Sequence, residues 1–186
     1  MASAQVFYDG PCPPAKPMDF FDFSAYQGTW YEIARYPNAA EEGTRGKCTT
    51  AQYFVYGDKG RVRNTHVVAG VKSYIDGDIT HVEPGKVMLT YTFGGRSKNS
   101  FLTVLQTDYT NYSIGYGCKY FKDTDTHQVF SWIKSRSKVL DPNSLAIVNN
   151  YLQYSPLLDS DKYILNDYSA ASCSYNFVKD IQEFLD

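Results

Sequence analysis

The chain has 186 residues, a formal net charge of −2, and 17 Tyr and 11 Phe residues. That length suits one domain whose core can sustain a barrel, and the aromatic richness favours strands over helices. The near-neutral charge gives no electrostatic reason to expect nucleic acid or an anionic membrane as partner, and no apolar run approaches a membrane span.

Met1-Ala2-Ser3-Ala4 is too short and too weakly apolar for a secretory signal and reads as an initiator ahead of a mature start. Residues 5–27 form an N-terminal arm, of which the proline-rich part, 5–19, should run extended over the surface. Gly28 permits a sharp turn into a strand at 28–37, on which Trp30, Glu32, Ala34 and Tyr36 share one face at period two. Pro37-Asn38 ends that strand, and 38–46 is a polar loop. Strands follow at 47–56, 61–68, 71–80 and 87–93, with turns at 57–60, 69–70 and 83–86. Gly94-Gly95 opens a polar loop, 94–98, before a strand at 99–106. The 107–111 turn leads to a strand at 112–121, and a charged turn, 122–126, leads to one at 127–137. Eight strands with short connections predict an all-β fold, an eight-stranded up-and-down antiparallel β-barrel over 28–137. Asp141-Pro142 is an N-cap followed by proline in the first turn. Leu145, Val148 and Leu152 recur at helical spacing, which predicts an α-helix over 142–154 packed outside the barrel. A short strand is expected near 162–165. The tail, 174–186, carries Phe177, Val178, Ile181, Phe184 and Leu185 at the spacing of a second, shorter helix or a mobile end. Residues 1–186 read as a single domain.

With Trp30 and Arg136 set inward, alternation assigns the remaining faces. Gln128, Phe130, Trp132 and Lys134 point inward, whereas Val129 and Ile133 point outward. Gly115 and Gly117 face inward, either enlarging the lumen or relieving strand bending, and Ile114, Tyr116 and Cys118 face outward beneath the helix. The turns at Gly28 and Thr107-Asp108-Tyr109 share the closed end. Loops 38–46, 69–71, 94–98 and 122–126 then ring an open mouth. Val62, Asn64, His66, Val68, Ser73, Ile75, Leu89, Tyr91, Phe93, Ser100, Leu102 and Val104 complete the inward set. An aromatic and aliphatic lumen with few polar groups at mid-depth has the composition of a small-molecule pocket. Asn64 and His66 are neighbouring inward polar groups, and need either a polar ligand or a buried water. Arg96 and Lys98, in the 94–98 loop, either meet acidic groups of a ligand or form a solvated charged turn.

Four widely spaced cysteines without a Cys-x-x-Cys pair indicate disulfides and export through an oxidising compartment. Cys48 and Cys118 point outward on strands that are not neighbours, so they do not join each other, and two pairings remain open. His66, His81 and His127 form no metal-ligand set. No nucleophile elbow, phosphate loop or zinc-protease motif is present, so no catalytic residue is assigned and the chain reads as a binding protein and not an enzyme. Asn111-Tyr112-Ser113 is a glycosylation sequon in a tight turn.

Gly28-x-Trp30, then Thr107-Asp108-Tyr109, then Arg136, in this order and spacing, resemble the lipocalin family. Asp9-Gly10-Pro11-Cys12-Pro13, Tyr36-Pro37-Asn38, Gly46-Lys47-Cys48 and Ser135-Arg136-Ser137-Lys138-Val139-Leu140 are similar to the insect bilin-binding proteins and insecticyanins, and the resemblance runs from Val6 to Tyr175. It implies the pairings Cys12–Cys118 and Cys48–Cys173. It implies a secreted, extracellular protein of haemolymph, cuticle or epidermis that holds a linear tetrapyrrole, biliverdin, without a covalent bond, for colouration, storage or transport. Asn64 and His66 would be its polar contacts. Ile75, Tyr91, Phe93, Gln128, Phe130 and Trp132 would line the site, and Arg96 and Lys98 would meet its propionates. Gly28, Trp30, Thr107, Asp108, Tyr109 and Arg136 would build the floor. A carrier of a retinoid, carotenoid or fatty acid is the alternative within the same fold. A protein that binds partners through its mouth loops is a further one, against which the small, charged loop residues count. A homo-oligomer is compatible with either reading.

Overall fold

The computed structural model describes residues 5–93 and 95–181, apart from the side chain of Phe93. A short strand, β1 (Val6–Asp9), opens the chain. A one-turn helix, α1 (Phe23–Tyr26), is capped by Asp22, whose carboxylate accepts from Ser24 N and Ala25 N. Gly28, at φ +96°, turns the chain out of α1 into β2 (Gly28–Arg35), a backbone region that side chains rarely adopt. Seven strands follow: β3 (Lys47–Tyr56), β4 (Lys59–Val68), β5 (Val71–Glu83), β6 (Lys86–Phe93), β7 (Arg96–Thr107), β8 (Tyr112–Phe121) and β9 (Thr126–Ser135). Each pairs antiparallel with the one before it, and β9 returns to β2 with Tyr31 opposite Ser135. The result is a closed eight-stranded antiparallel barrel.

Phe93 pairs directly with Arg96, so the expected 94–98 loop is a two-residue hairpin and Arg96 and Lys98 belong to β7. Gly95, at φ +73°, permits so tight a reversal. At the mouth end, β1 pairs with the Thr126–Val129 part of β9, while β2 takes the part nearer the floor. The arm therefore adds a strand before it crosses the outer wall. The disulfide Cys12–Cys118 pins it there, and Cys48–Cys173 pins the C-terminal segment, with Cα separations of 6.0 and 5.5 Å. They close loops of 106 and 125 residues, each a constraint of about 4–5 kcal/mol on the unfolded chain.

The second helix, α2 (Pro142–Tyr154), begins where Asp141 accepts hydrogen bonds from Asn143 N at 3.1 Å and Ser144 N at 3.0 Å. It buries Ser144 and Val148 on the barrel wall formed by Ile114, Tyr116, Val129 and Ile133. Burying Val148 alone contributes about 1.5–3 kcal/mol. Leu145, expected on that face, is 45% exposed, because the face runs along Ser144, Val148, Tyr151 and Leu152.

A two-residue strand, β10 (Ile164–Leu165), adds to β2. After the short helix α3 (Ala170–Cys173), residues Phe177–Asp180 form β11, parallel to β5. This corrects the expected tail helix. Asp78 of β5 pairs with Thr90, so β6 ends before it reaches Val71–Tyr74, and β11 occupies that free edge. The part of the tail beyond 181, with Phe184 and Leu185, lies outside the described residues.

Candidate ligand-binding site

The floor is built around Trp30, which is fully buried and donates from Nε1 to the Tyr26 carbonyl at 2.8 Å. Arg136 lies over its ring, 3.8 Å from guanidinium carbon to ring centre. The same guanidinium donates to the carbonyls of Tyr109 at 2.9 Å, Thr29 at 3.0 Å, and Ala25 and Tyr26 at 3.3 Å each. Asp108 organises the neighbouring turn by accepting from Thr110 N, Asn111 N and Tyr112 N. Partial burial acts to raise its carboxyl, but the bond from Asn111 Nδ2 at 2.7 Å together with these backbone amides holds it below the usual range. Thr107 Oγ1 donates to the Tyr112 carbonyl at 2.6 Å, and Tyr109 stands at φ +67° beneath Arg136. A Cβ on Gly28 would lie 3.4 Å from Arg136 Nη1, so the glycine serves both the turn and the close approach.

Above this floor the inward rows change character with height. Val62, Ile79, Leu89, Leu102 and Lys134 are buried. One step towards the mouth, Asn64, Ile75, Tyr91, Phe130 and Trp132 are only half-buried, although all sit on inward rows. Ser100, Lys98 and Arg96 continue the inward row of β7 and are exposed. Side chains that point inward and still meet solvent mark an open upper lumen over a packed base. Gln128 is buried near the mouth on β9.

Asn64 Nδ2 donates to the Tyr91 hydroxyl at 3.0 Å, across the intervening strand β5. Gly77 makes this crossing possible. A Cβ there would stand 2.6 Å from Tyr91 Cε1, so only glycine lets the ring lie flat over β5. Burial pushes the Tyr91 hydroxyl well above its ordinary pKa, against the Asn64 bond. Phe130 and Trp132 stack at 6.2 Å between ring centres, 14° from parallel. His66 is 5% exposed, and its Nε2 has no hydrogen-bond partner among the described residues. Glu42 Oε1, at 3.6 Å, is too far to serve.

β2 does not keep one face. Glu32 pairs with Lys134, but Ala34 pairs with Ile133 and Arg35 with Trp132, which places a bulge between Glu32 and Ala34. One extra residue reverses the alternation. Trp30, Glu32 and Arg35 therefore share the lumen side, whereas Ala34 and Tyr36 pack in the outer core beneath α2. The expected run Trp30, Glu32, Ala34, Tyr36 is corrected accordingly. Tyr36 then donates its hydroxyl to the Asp159 carbonyl at 3.0 Å and anchors the segment after the helix.

Arg35, 1% exposed, donates from Nη1 to Glu32 Oε1 at 2.9 Å and lies 3.3 Å from Glu41 Oε2. Its Nη2 donates to the carbonyls of Gly43 and Gly46. Glu41 Oε1 accepts from Trp132 Nε1 and Asn38 Nδ2, both at 3.0 Å. The 38–46 loop is thus tied from inside the barrel. Burial and the nearby Glu41 carboxylate push the Glu32 carboxyl well above the usual range, despite the Arg35 contact. One guanidinium cannot offset two carboxylates when the nearer one is buried. Lower in the lumen, Lys134 Nζ donates to the Tyr53 hydroxyl at 2.8 Å. The lumen is therefore richer in polar groups at mid-depth than the expected face assignment. Glu32 was placed on the face of Trp30 but given no role, Arg35 was missed because strand periodicity separates residues 32 and 35, and Glu41 lies in a loop without periodicity. Lys134 was placed inward but given no role. Gly77 had no local signal, since its need comes from a side chain on the neighbouring strand β6, 14 residues on in the chain. Among the described residues, no cluster of three His, Cys, Asp or Glu could hold a metal ion.

A model of the lipocalin / cytosolic fatty-acid binding protein family matches residues 27–167. The chain belongs to that family. The bilin-binding protein of Pieris brassicae is 45% identical over 178 residues, covering 94% of this chain and 93% of the relative. Insecticyanin-B of Manduca sexta is 44% identical over 182 residues, covering 94% and 87%. The solved structure of insecticyanin from the tobacco hornworm Manduca sexta matches at a TM-score of 0.89 with 42% identity, covering 95% of this chain and 96% of that one. This lipocalin thus has the ligand-carrier barrel of its family, with the two disulfides that the resemblance implied.

Proposed function

We propose that this lipocalin binds a linear tetrapyrrole of the biliverdin class, non-covalently, in the upper lumen. The observation that carries the reading is the half-buried inward band of Asn64, Ile75, Tyr91, Phe130 and Trp132. It combines aromatic faces with hydrogen-bonding groups at one depth. A bilin is a flat conjugated chain edged with N–H and C=O groups, and it matches both features. A carotenoid or fatty acid has no polar group at mid-length. His66 adds a buried ring nitrogen without a hydrogen-bond partner among the described residues. Arg96 and Lys98, exposed on the inward row at the mouth, suit the propionates. The names of the two insect relatives support the same ligand class.

The function is binding and conformational restraint of a pigment. All four cysteines are in disulfides, so no thiol is left for a thioether or for catalysis by a nucleophilic sulfur. The two disulfides support a secreted, extracellular carrier. Titration with biliverdin, followed by absorbance, tests the reading. Saturable binding with a Kd below about 1 μM and a shifted visible band are expected, and acid denaturation without reductant should release free pigment. Failure to bind biliverdin, with saturable binding of a retinoid or fatty acid, would replace the bilin by a general apolar ligand.

A further inference from the structure

Lys134 sits two residues deeper along β9 than Trp132, on the same inward row, and is 6% exposed. Its Nζ donates to the Tyr53 hydroxyl at 2.8 Å and lies 5.1 Å and 5.7 Å from the ring centres of Tyr53 and Trp132. Among the described residues no carboxylate forms an ion pair with it. Glu32 stands directly opposite on β2, but its carboxyl is turned to Arg35 Nη1 at 2.9 Å and Asn166 Nδ2 at 3.0 Å. A lysine presents three donors, and one bond to a phenol leaves two without an acceptor among the described residues. The two rings compensate a buried cation only in part. The Tyr53 hydroxyl accepts from Lys134, so its own proton remains available to donate. Two donors therefore converge at the top of the packed base, below the half-buried Trp132, and among the described residues no further protein acceptor pairs with them.

We propose that Lys134, with the Tyr53 hydroxyl, is the residue that selects the inner end of the ligand. The site takes a ligand whose buried end carries a carbonyl or carboxylate oxygen, and it discriminates against ligands that enter with an apolar end. The inference rests on the lumen reading above and deepens it. For a bilin, the oxygen is that of a lactam or a propionate. No covalent step is involved. The oxygen accepts from Nζ and from the tyrosine hydroxyl, and the buried cation gains an anionic or carbonyl partner beyond the phenol.

Lys134→Met keeps the length and apolar stem while removing the donors and the charge. Wild type and variant are titrated with biliverdin, retinoic acid and retinol, the last two differing in the head group. Circular dichroism and Tm are recorded for both proteins. The variant should fold with an equal or higher Tm, bind biliverdin about tenfold or more weakly and show a displaced visible band. It should also lose any preference for retinoic acid over retinol. Biliverdin affinity and spectrum equal to wild type would overturn the inference. If wild type fails to bind biliverdin, the bilin reading falls by itself, and the retinoid pair decides. Loss of carboxylate preference in the variant supports the role of Lys134, and an unchanged preference refutes it. If wild type binds none of the three, both readings fall. Should Lys134→Met not fold, Lys134→Gln, which keeps a donor without the charge, is judged by the same preference.

Discussion

Arg136→Ala removes the bond that closes the bottom of the barrel, and its effect can be worked from the contacts. The guanidinium lies 3.8 Å over Trp30, a sheltered cation–π contact worth about 1–2 kcal/mol. It also donates to four carbonyls. Two of these lose little. Ala25 is exposed at that bond, and the Tyr26 carbonyl keeps Trp30 Nε1 at 2.8 Å. The Thr29 and Tyr109 carbonyls are left unmatched in a half-buried place, each costing about 1 kcal/mol, the low end for an unpaired group. The sum is about 3–4 kcal/mol, or a fall in Tm of roughly 6–16 °C for a chain of this size. The upper lumen is a separate layer, so the spectrum of bound pigment should hardly change. Differential scanning calorimetry of wild type, Arg136→Ala and Arg136→Lys checks this. Lysine retains charge but not the fork, so it should recover less than half of the loss. A melting temperature for Arg136→Ala within 2 °C of wild type would refute the account, a threshold of about half a kcal/mol to one kcal/mol.

Glu32 has a raised carboxyl pKa in the fold, so the folded state holds its proton more tightly than the unfolded chain. That contribution is complete below the ordinary glutamate value of 4.5 and is lost as pH rises through the higher folded value. Glu32→Gln should remove a slope of up to about 1.4 kcal/mol per pH unit and raise Tm most at the alkaline end. Parallel pH–Tm curves for the two proteins would count against it. Gly77→Ala puts a Cβ 2.6 Å from the Tyr91 ring, and should cost about 1–3 kcal/mol as overpacking while breaking the Asn64–Tyr91 bond. Weaker biliverdin binding together with a lowered Tm is the expected result, and wild-type values of both would refute it. His66→Leu should weaken biliverdin binding about tenfold, as 1.4 kcal/mol corresponds to that factor, and leave a fatty acid equal or better bound. Indifference of the biliverdin titration would remove His66 from the site.

The sequence by itself determined the elements whose causes are local. Eight runs of period-two side chains bounded by Gly, Pro and Asp turns specify the barrel, because the turn residues set φ where they stand. Asp141-Pro142 specifies the start of α2, because an N-cap needs only the next two or three amides. Lumen height was legible on β4, β6 and β9, where alternation runs unbroken through Asn64, Tyr91 and Trp132. Only the tertiary structure decided what depends on partners distant in the chain. The bulge between Glu32 and Ala34 is defined by its register against β9, and it reverses Ala34 and Tyr36 while bringing Arg35 inside. Gly77 is needed because a tyrosine from β6 lies across it. β11 forms because β5 outruns β6 and leaves an edge open, a length mismatch that no property of residues 177–180 encodes. The buried charges follow the same rule. Glu32, Arg35, Glu41 and Lys134 are ordinary polar residues by composition, and only the closed barrel draws them out of water, pairing Arg35 with Glu32 and Glu41 while leaving Lys134 with the Tyr53 hydroxyl.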